Sequence, residues 1–345
     1  MNSEAKSPLP TSRDVARAAG VSQTTVSRVL SDNPLVNPQT RERVLRAMQA
    51  IGYRPNLAAR AMKTSRIGTV GVVVARLANP LYPELLLHLG ASLRAAGMQM
   101  IVWHSESGGE DAAISAASQG LVDGIVFAAA TAASVRCIED SARLVPVVLV
   151  HRGIASLAVD QIEVDNLAGG RLVARYFLDA GRRRPAIIAG VRSISTVRER
   201  EDGYCEVLDA ALPGGYPRLR VDFASYEEGY RVARELAARA PDADAVFCVN
   251  DVIALGCLDG LRDHGLRVPE DIWVAGYDDV AMARWSSFRL TTVAQPLQEM
   301  AALAADRLLA RIGAREPMQP ERLVLPFSLA VRASTANRQP RAASG

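Results

Sequence analysis

The chain has 345 residues, 49% hydrophobic and 22% charged, with 40 Lys and Arg against 37 Asp and Glu. That length makes roughly two or three ordinary domains with apolar cores, and no run approaches the ~18 uninterrupted apolar residues of a membrane span. The start, MNSEAKSPLPTSRD, has no apolar leader core, so the expected location is the cytoplasm. Charge is unevenly placed: residues 1–66 hold 11 Lys or Arg against 4 Asp or Glu, and the rest 29 against 33. This suggests an N-terminal module for a polyanion joined to a near-neutral body. Cys137, Cys205, Cys248 and Cys257 form no CxxC pair, which fits buried, reduced thiols and no metal site.

Residues 1–10 are polar and Pro-containing and are expected to be a disordered arm. From Thr11, a capping hydroxyl, Val15, Ala16, Ala18 and Ala19 suggest a short helix that stops at Gly20. In GVSQTTVSRVL (residues 20–30), Val26, Val29 and Leu30 fall on one face of a second helix. Its other face shows Ser22, Gln23, Thr24, Ser27 and Arg28, short donors and acceptors unsuited to a hydrophobic partner. Asn37 followed by Pro38 opens a third helix with Val44, Leu45, Met48 and Ile51 as its stripe. Three short helices with a tight turn between the first two describe a helix-turn-helix over 11–55. Residues 56–65 begin with a cap, Asn56, and continue in good helix formers. A helix this short is marginal in water and is expected to form only against a partner.

From Ile67 the pattern becomes strand, helix, strand. IGTVGVVVA, MQMIVWH, GIVFAAA and VPVVLVH read as buried parallel strands, followed by a second series, PAIIAG, RLRVDF, DAVFCVN and IWVAGYD. The intervening helices of this second half begin near Leu167, Thr196, Tyr226 and Val252. Two alternating series imply an α/β body of two doubly wound parallel-sheet subdomains.

Such sheets bind ligands at the carboxyl ends of their strands. The residues there include Asn79, Tyr82, His151, Arg152, Arg198, Arg200, Asn250, Asp251, Asp278 and Asp279. This mixture suits a small polar ligand, although Asp251 and Asp279 fit turn or capping roles equally well. Nothing points to catalysis or a cofactor: GxGxxG after the first strand, GxxxxGK[ST], GxSxG and HExxH are all missing. His88 reads as structural, and the GRRRP turn at 181–185 as a solvated face.

DVARAAGVSQTTVSRVL, TRERVLRAMQAIGYRPNLAARAM, EVDNLAGG, RERxxGY, VNDVIALG, VPEDIWVAGYDD and LTTVAQP, in this order, resemble the signatures of the lac and galactose repressor family of bacterial transcription regulators, over about residues 11–332. The resemblance implies a homodimer on a palindromic operator in double-stranded DNA, with recognition helices in successive major grooves and hinge helices in the minor groove between them. Gln23, Thr24 and Arg28 match base-reading positions, and the chemistry suits them: Arg is bidentate to guanine, Gln to adenine, and the Thr methyl contacts thymine. Thr11, Ser22, Thr25, Ser27, Tyr53 and Asn56 match phosphate-holding positions. Met62 stands where relatives carry a Leu wedge, and Lys63 matches the basic residue after it.

In the body, Tyr82, Thr196, Arg200, Asn250 and Asp278 match effector-contacting positions, and Phe223 an aromatic lid. His151 replaces the Asp or Asn of many relatives, with Arg152 beside it, which leaves the ligand class open. RRRP also replaces a more usual His-Arg pair, and SFRLTT lacks a Pro-rich lead. The effector-binding core is expected at 66–332, its first subdomain about 66–162 and 294–322, its second about 163–293 and 323–332, with 333–345 a disordered tail too short to tetramerise. The reading is a ligand-responsive DNA-binding repressor of an operon for a sugar, polyol or sugar acid. Alternatives are a nucleobase or nucleoside effector stacking on Tyr82 and Phe223, an activator of the same fold, a solute-binding protein and an enzyme.

Overall fold

The computed structural model describes residues 10–30, 33–53 and 66–335. The expected hinge helix, with Asn56, Met62 and Lys63, lies outside the described residues, as do most of the expected arm and tail. The chain divides into two compact units, 1–68 and 69–345.

In the first unit, α1 (Ser12–Ala19), α2 (Gln23–Leu30) and α3 (Pro38–Ala50) each start at a side-chain cap. The Thr11 N–H donates to Asp14 Oδ2 at 2.9 Å, while Thr11 Oγ1 accepts from the Asp14 N–H at 3.4 Å. Ser22 Oγ accepts from the Thr25 N–H at 3.1 Å, and Asn37 Oδ1 from the Gln39 N–H at 2.9 Å. Gly20, at φ 61, stops α1 and turns the chain into α2. Val15, Ala16, Ala19, Val26, Val29, Val44 and Ala47 form the core, with Met48, Ile51 and Tyr53 against it. Leu45, expected in the stripe of α3, is instead 47% exposed. Val44, Ala47, Met48 and Ile51 already occupy the inward arc, and the next residue after Val44 points about 100° away from it.

The second unit holds two six-stranded sheets. The first contains β1 (Thr69–Val74), β2 (Gln99–His104), β3 (Gly124–Phe127), β4 (Val147–Val150), β5 (Asp160–Val164) and β11 (Arg322–Leu325), in the order β11-β5-β4-β3-β1-β2 and parallel throughout. The second contains β6 (Pro185–Ala189), β7 (Arg218–Arg220), β8 (Ala245–Cys248), β9 (Trp273–Asp278), β10 (Thr291–Ala294) and β12 (Ser328–Ala330), in the order β12-β10-β9-β8-β6-β7. Only its edge strand β12 runs antiparallel. The helices used below are α4 (Leu81–Ala95), α7 (Asn166–Asp179), α8 (Ser195–Ala211), α10 (Asp251–Asp263) and α11 (Leu297–Gly313). All four cysteines are buried and unpaired.

The chain crosses between the sheets three times: after β5, after β10, and at residues 326–327 between β11 and β12. Two expected boundaries are therefore corrected. Residues 163–164 and 323–325 belong to the first sheet, because Val164 and Leu325 are buried in its core. The expected tail also starts too early. Ser334 Oγ donates to Val274 O at 2.6 Å and accepts from the Thr291 N–H at 2.7 Å, and Thr335 Oγ1 lies 2.8 Å from Tyr176 Oη. These contacts order residues 333–335 against the second sheet.

Helices α7 and α8 pack at backbone contact. A Cβ on Gly170 would stand 2.1 Å from Arg200 O, and one on Gly203 2.0 Å from Leu167 O. Only glycine permits this approach, which fixes where α8 delivers Arg200. At the amino end of β5, Asp160 is fully buried and accepts from Arg311 Nη2 at 2.8 Å, Arg307 Nη2 at 3.1 Å and the Glu321 N–H at 2.8 Å. Burial works to raise its pKa, but the hydrogen bonds from Arg311 and Arg307 outweigh it and hold the carboxyl at about 2.

Two outcomes are expected. Asp160→Asn leaves Arg311 without a carboxylate among the described residues and Arg307 with Glu321 alone, and should lower the unfolding free energy by about 3 kcal/mol. The wild-type contribution is present above the unfolded carboxylate value of 3.8 and is lost as pH falls through about 2. Urea unfolding should thus show the gap between wild type and variant closing over that window.

Candidate functional site

On the first unit, Ser22, Gln23, Thr24 and Arg28 are exposed on one face of α2, with Thr25 and Ser27 half-buried beside them. Several are already held in place. Gln23 Nε2 donates to Ser12 Oγ at 2.9 Å, and Ser22 Oγ lies 2.9 Å from Thr25 Oγ1. Thr11 is exposed and caps α1, while Tyr53 packs half-buried on the core. A solvent-facing row of hydroxyl, amide and guanidinium groups on a core-anchored helix is a surface that can bond base edges and phosphates.

On the second unit, the expected effector residues come from both sheets. Tyr82 stands in the first turn of α4, just after Asn79, whose Oδ1 accepts from the Leu81 N–H at 3.1 Å. His151 and Arg152 follow β4, Thr196 and Arg200 lie one turn apart on α8, Asn250 caps α10 by accepting from the Ile253 N–H at 3.0 Å, and Asp278 closes β9. All of these are buried. Phe223 differs: it is 42% exposed, and the Arg76 guanidinium lies 5.0 Å from its ring.

Arg200 organises the buried groups. Its Nη1 lies 3.0 Å from Asp278 Oδ1 and donates to Val249 O at 2.9 Å, its Nε donates to Asn166 Oδ1 at 2.9 Å, and its guanidinium carbon sits 3.6 Å from the Tyr277 ring centre. Gln295, on the segment crossing between sheets, donates from Nε2 to Asp278 Oδ1 at 2.7 Å. On the other side, Tyr82 and His151 meet edge to face at 6.1 Å, and the Arg152 guanidinium lies 5.9 Å from the Tyr82 ring. Six polar atoms in this cluster are buried with no hydrogen-bond partner among the described residues: Tyr82 Oη, His151 Nδ1, Arg152 Nε, Arg200 Nη2, Tyr277 Oη and Gln295 Oε1. Gln295, Asn166 and Tyr277 were not anticipated, although Asn166 and Gln295 sit inside the quoted strings EVDNLAGG and LTTVAQP.

Backbone strain gathers at the same place. His151 (φ 70), Asp278 (φ 124) and Asp279 (φ 56) adopt left-handed conformations that cost side-chain-bearing residues energy. Burial pushes the Asp278 carboxyl up to about 6 against the pull of Arg200. Burial, then the charges of Arg200 and Arg152, holds the His151 imidazole well below its usual range, so it is neutral. Asp251 accepts from Thr292 Oγ1 at 2.5 Å and from the Val280 N–H at 3.0 Å, a bracing role for the strand ends. Burial, then the Asp278 charge, raises it to about 8.

Residues 11–56 match the bacterial regulatory proteins of the lacI family, and residues 174–335 match the periplasmic binding protein-like domain. The HTH-type transcriptional regulator CelR of Thermobifida fusca is 37% identical over 341 residues, covering 94% of this chain and 98% of that protein. The chain belongs to the LacI family. The ribose operon repressor of Escherichia coli K12 is 32% identical over 332 residues, covering 94% of this chain and all of that one. Among solved structures, a CelR–cellobiose complex superposes with a TM-score of 0.70 at 35% identity, covering 94% of this chain and 99% of that one. The lac repressor dimer bound to operator and the anti-inducer ONPF gives 0.81 at 26% identity, covering 95% and 100%. This LacI-family protein is thus a helix-turn-helix transcription regulator. Among the described residues no helix is long and apolar enough to cross a membrane.

Arg200 has Asp278 as its one ion-pair partner among the described residues. Asp278→Ala should therefore cost about 3–5 kcal/mol of unfolding free energy by leaving a buried charge unpaired. Asp278→Asn keeps an acceptor and should cost less, a difference that denaturant titration of the two variants would read directly.

Proposed function

We propose that this regulator is a cytoplasmic repressor of a carbohydrate catabolic operon, that it binds a palindromic operator as a homodimer, and that it acts by binding its effector without turning it over. The observation that carries the proposal is the buried polar cluster of Tyr82, His151, Arg152, Arg200, Asp278 and Gln295, drawn from both sheets. Paired donors and acceptors of this kind suit adjacent hydroxyls. CelR with its cellobiose complex and the ribose operon repressor support a sugar, polyol or sugar acid. Thr196 and Asn250 extend the contact set, and Phe223 covers the mouth.

In this reading Gln23, Thr24 and Arg28 read base edges, while Thr11, Ser22, Thr25, Ser27, Tyr53 and Asn56 hold phosphates. Met62 wedges a central base step, with Lys63 beside it. Effector binding changes the closure of the two subdomains, and closure decides whether paired hinge helices form on DNA, so that the two sites share a coupling free energy.

Genomic fragments selected by the purified protein at two salt concentrations test the DNA half. A short palindrome is expected, enriched strongly at low salt and weakly at high salt. Failure to enrich one, with or without added sugars, would sink the assignment of α2. Arg28→Ala should lose about 1–3 kcal/mol of discrimination at one base pair in each half-site. For the effector half, Asp278→Asn should retain operator binding and lose the response to ligand. An unchanged response removes Asp278 from the site, and thermal stabilisation by purines alone rules out carbohydrate.

A further inference from the structure

Two arginines are buried in the second unit, Arg152 and Arg200. Arg200 is matched by Asp278. Among the partly buried arginines, Arg307 and Arg311 share Asp160 and Arg332 pairs with Asp279, whereas Arg182 lies over the Trp273 ring with its Nε unpartnered. Arg152 is the fully buried arginine without a carboxylate among the described residues. Among the described residues no carboxylate lies within ion-pair distance of it and its Nε has no partner; its Nη1 donates to Ala129 O at 3.3 Å, and its guanidinium carbon lies 5.9 Å from the Tyr82 ring centre. The neighbouring carboxylates are committed elsewhere. Asp278 takes Arg200 and Gln295, Asp251 takes Thr292 and Val280, Asp279 takes Arg284 and Arg332, and Glu84 accepts from the Ala281 N–H at 2.7 Å. Beside Arg152, His151 supplies a neutral ring. The cluster therefore carries one uncompensated positive charge, in a place where an unpaired ion is costly.

From this we infer that the effector is a carbohydrate bearing an anionic group, carboxylate or phosphate, and that Arg152 is the residue that selects for it. The inference rests on the carbohydrate reading above and narrows it. Arg200 and Asp278, a matched pair, are left for hydroxyls, and Arg152 Nε and Tyr82 Oη, on neighbouring side chains, are the unspent donors for the anion.

The test uses the full-length chain and matched ligand pairs, glucose with glucuronate, galactose with galacturonate, and each sugar with its 6-phosphate, so that the carboxylate and phosphate arms are read separately. Calorimetric titration should show at least one anionic member binding at least about tenfold more tightly than its neutral partner. In Arg152→Met that ratio should fall to about threefold or less, whatever the change in neutral-sugar affinity. A probe independent of the sugar accompanies it. Inorganic phosphate, at ionic strength matched with chloride, should raise the thermal midpoint of the wild type more than that of Arg152→Met, which also controls for phosphate bound on the DNA-reading face. Neutral sugars binding as tightly as their anionic partners, or a preference that persists in Arg152→Met, overturns the inference and leaves the carbohydrate reading standing. Binding by hypoxanthine or guanine, with none by any sugar in the set, overturns both.

Discussion

The Arg200 guanidinium is the constraint on which the effector half depends. Burying a charged group is costly without partners, and three pieces of chain supply them: Asn166 at the head of α7, the Val249 carbonyl after β8, and the Tyr277 ring with the Asp278 carboxylate on β9. The glycines between α7 and α8 let the helix carrying Arg200 come close enough to be held. Gln295 then passes the arrangement to a segment that leads into the other subdomain. An ion pair internal to the second sheet thereby has a hydrogen bond on the route between the sheets.

Two arginine clusters in the same unit differ in how fully their hydrogen bonds are met. At the amino end of β5, Asp160 receives five side-chain and backbone hydrogen bonds, and its network is complete. At the carboxyl ends, polar atoms are buried without partners and three residues sit in strained backbone conformations. A complete network resists change; an incomplete one gains by meeting something. The complete and the incomplete network occupy opposite edges of the strands, and a substitution on one edge need not disturb the other.

The fold was readable where burial follows hydrophobicity. The eight apolar runs all became strands, and the capping residues Thr11 and Asn37 opened helices where expected. What the sequence hid was burial of polar residues. β5, with the sequence DQIEV, is wholly buried because Asp160 and Glu163 have partners far along the chain, while Gln161 bonds the backbone of Ile154 and Leu157 just before it. β11 escaped notice because it is largely exposed and short, and β12 because it is an edge strand of three residues. The site was legible through strand ends and family strings, which gave Tyr82, Arg200 and Asp278. Gln295 was not, since its role depends on where a crossing segment runs, and no local pattern encodes that. Leu45 marks the opposite error, an apolar residue counted inward where the arc was already full.

The crossing at 326–327 has a mechanical meaning. Its two residues are Pro326, with a backbone dihedral locked by its ring, and Phe327, which packs against the cores of both subdomains. Like Asp165 after β5 and Gln295–Pro296 after β10, it leaves little slack between the sheets, so a shift of one subdomain against the other works against that aromatic ring. A regulator that answers its ligand by subdomain closure would owe part of that response to a phenylalanine that need never touch the ligand.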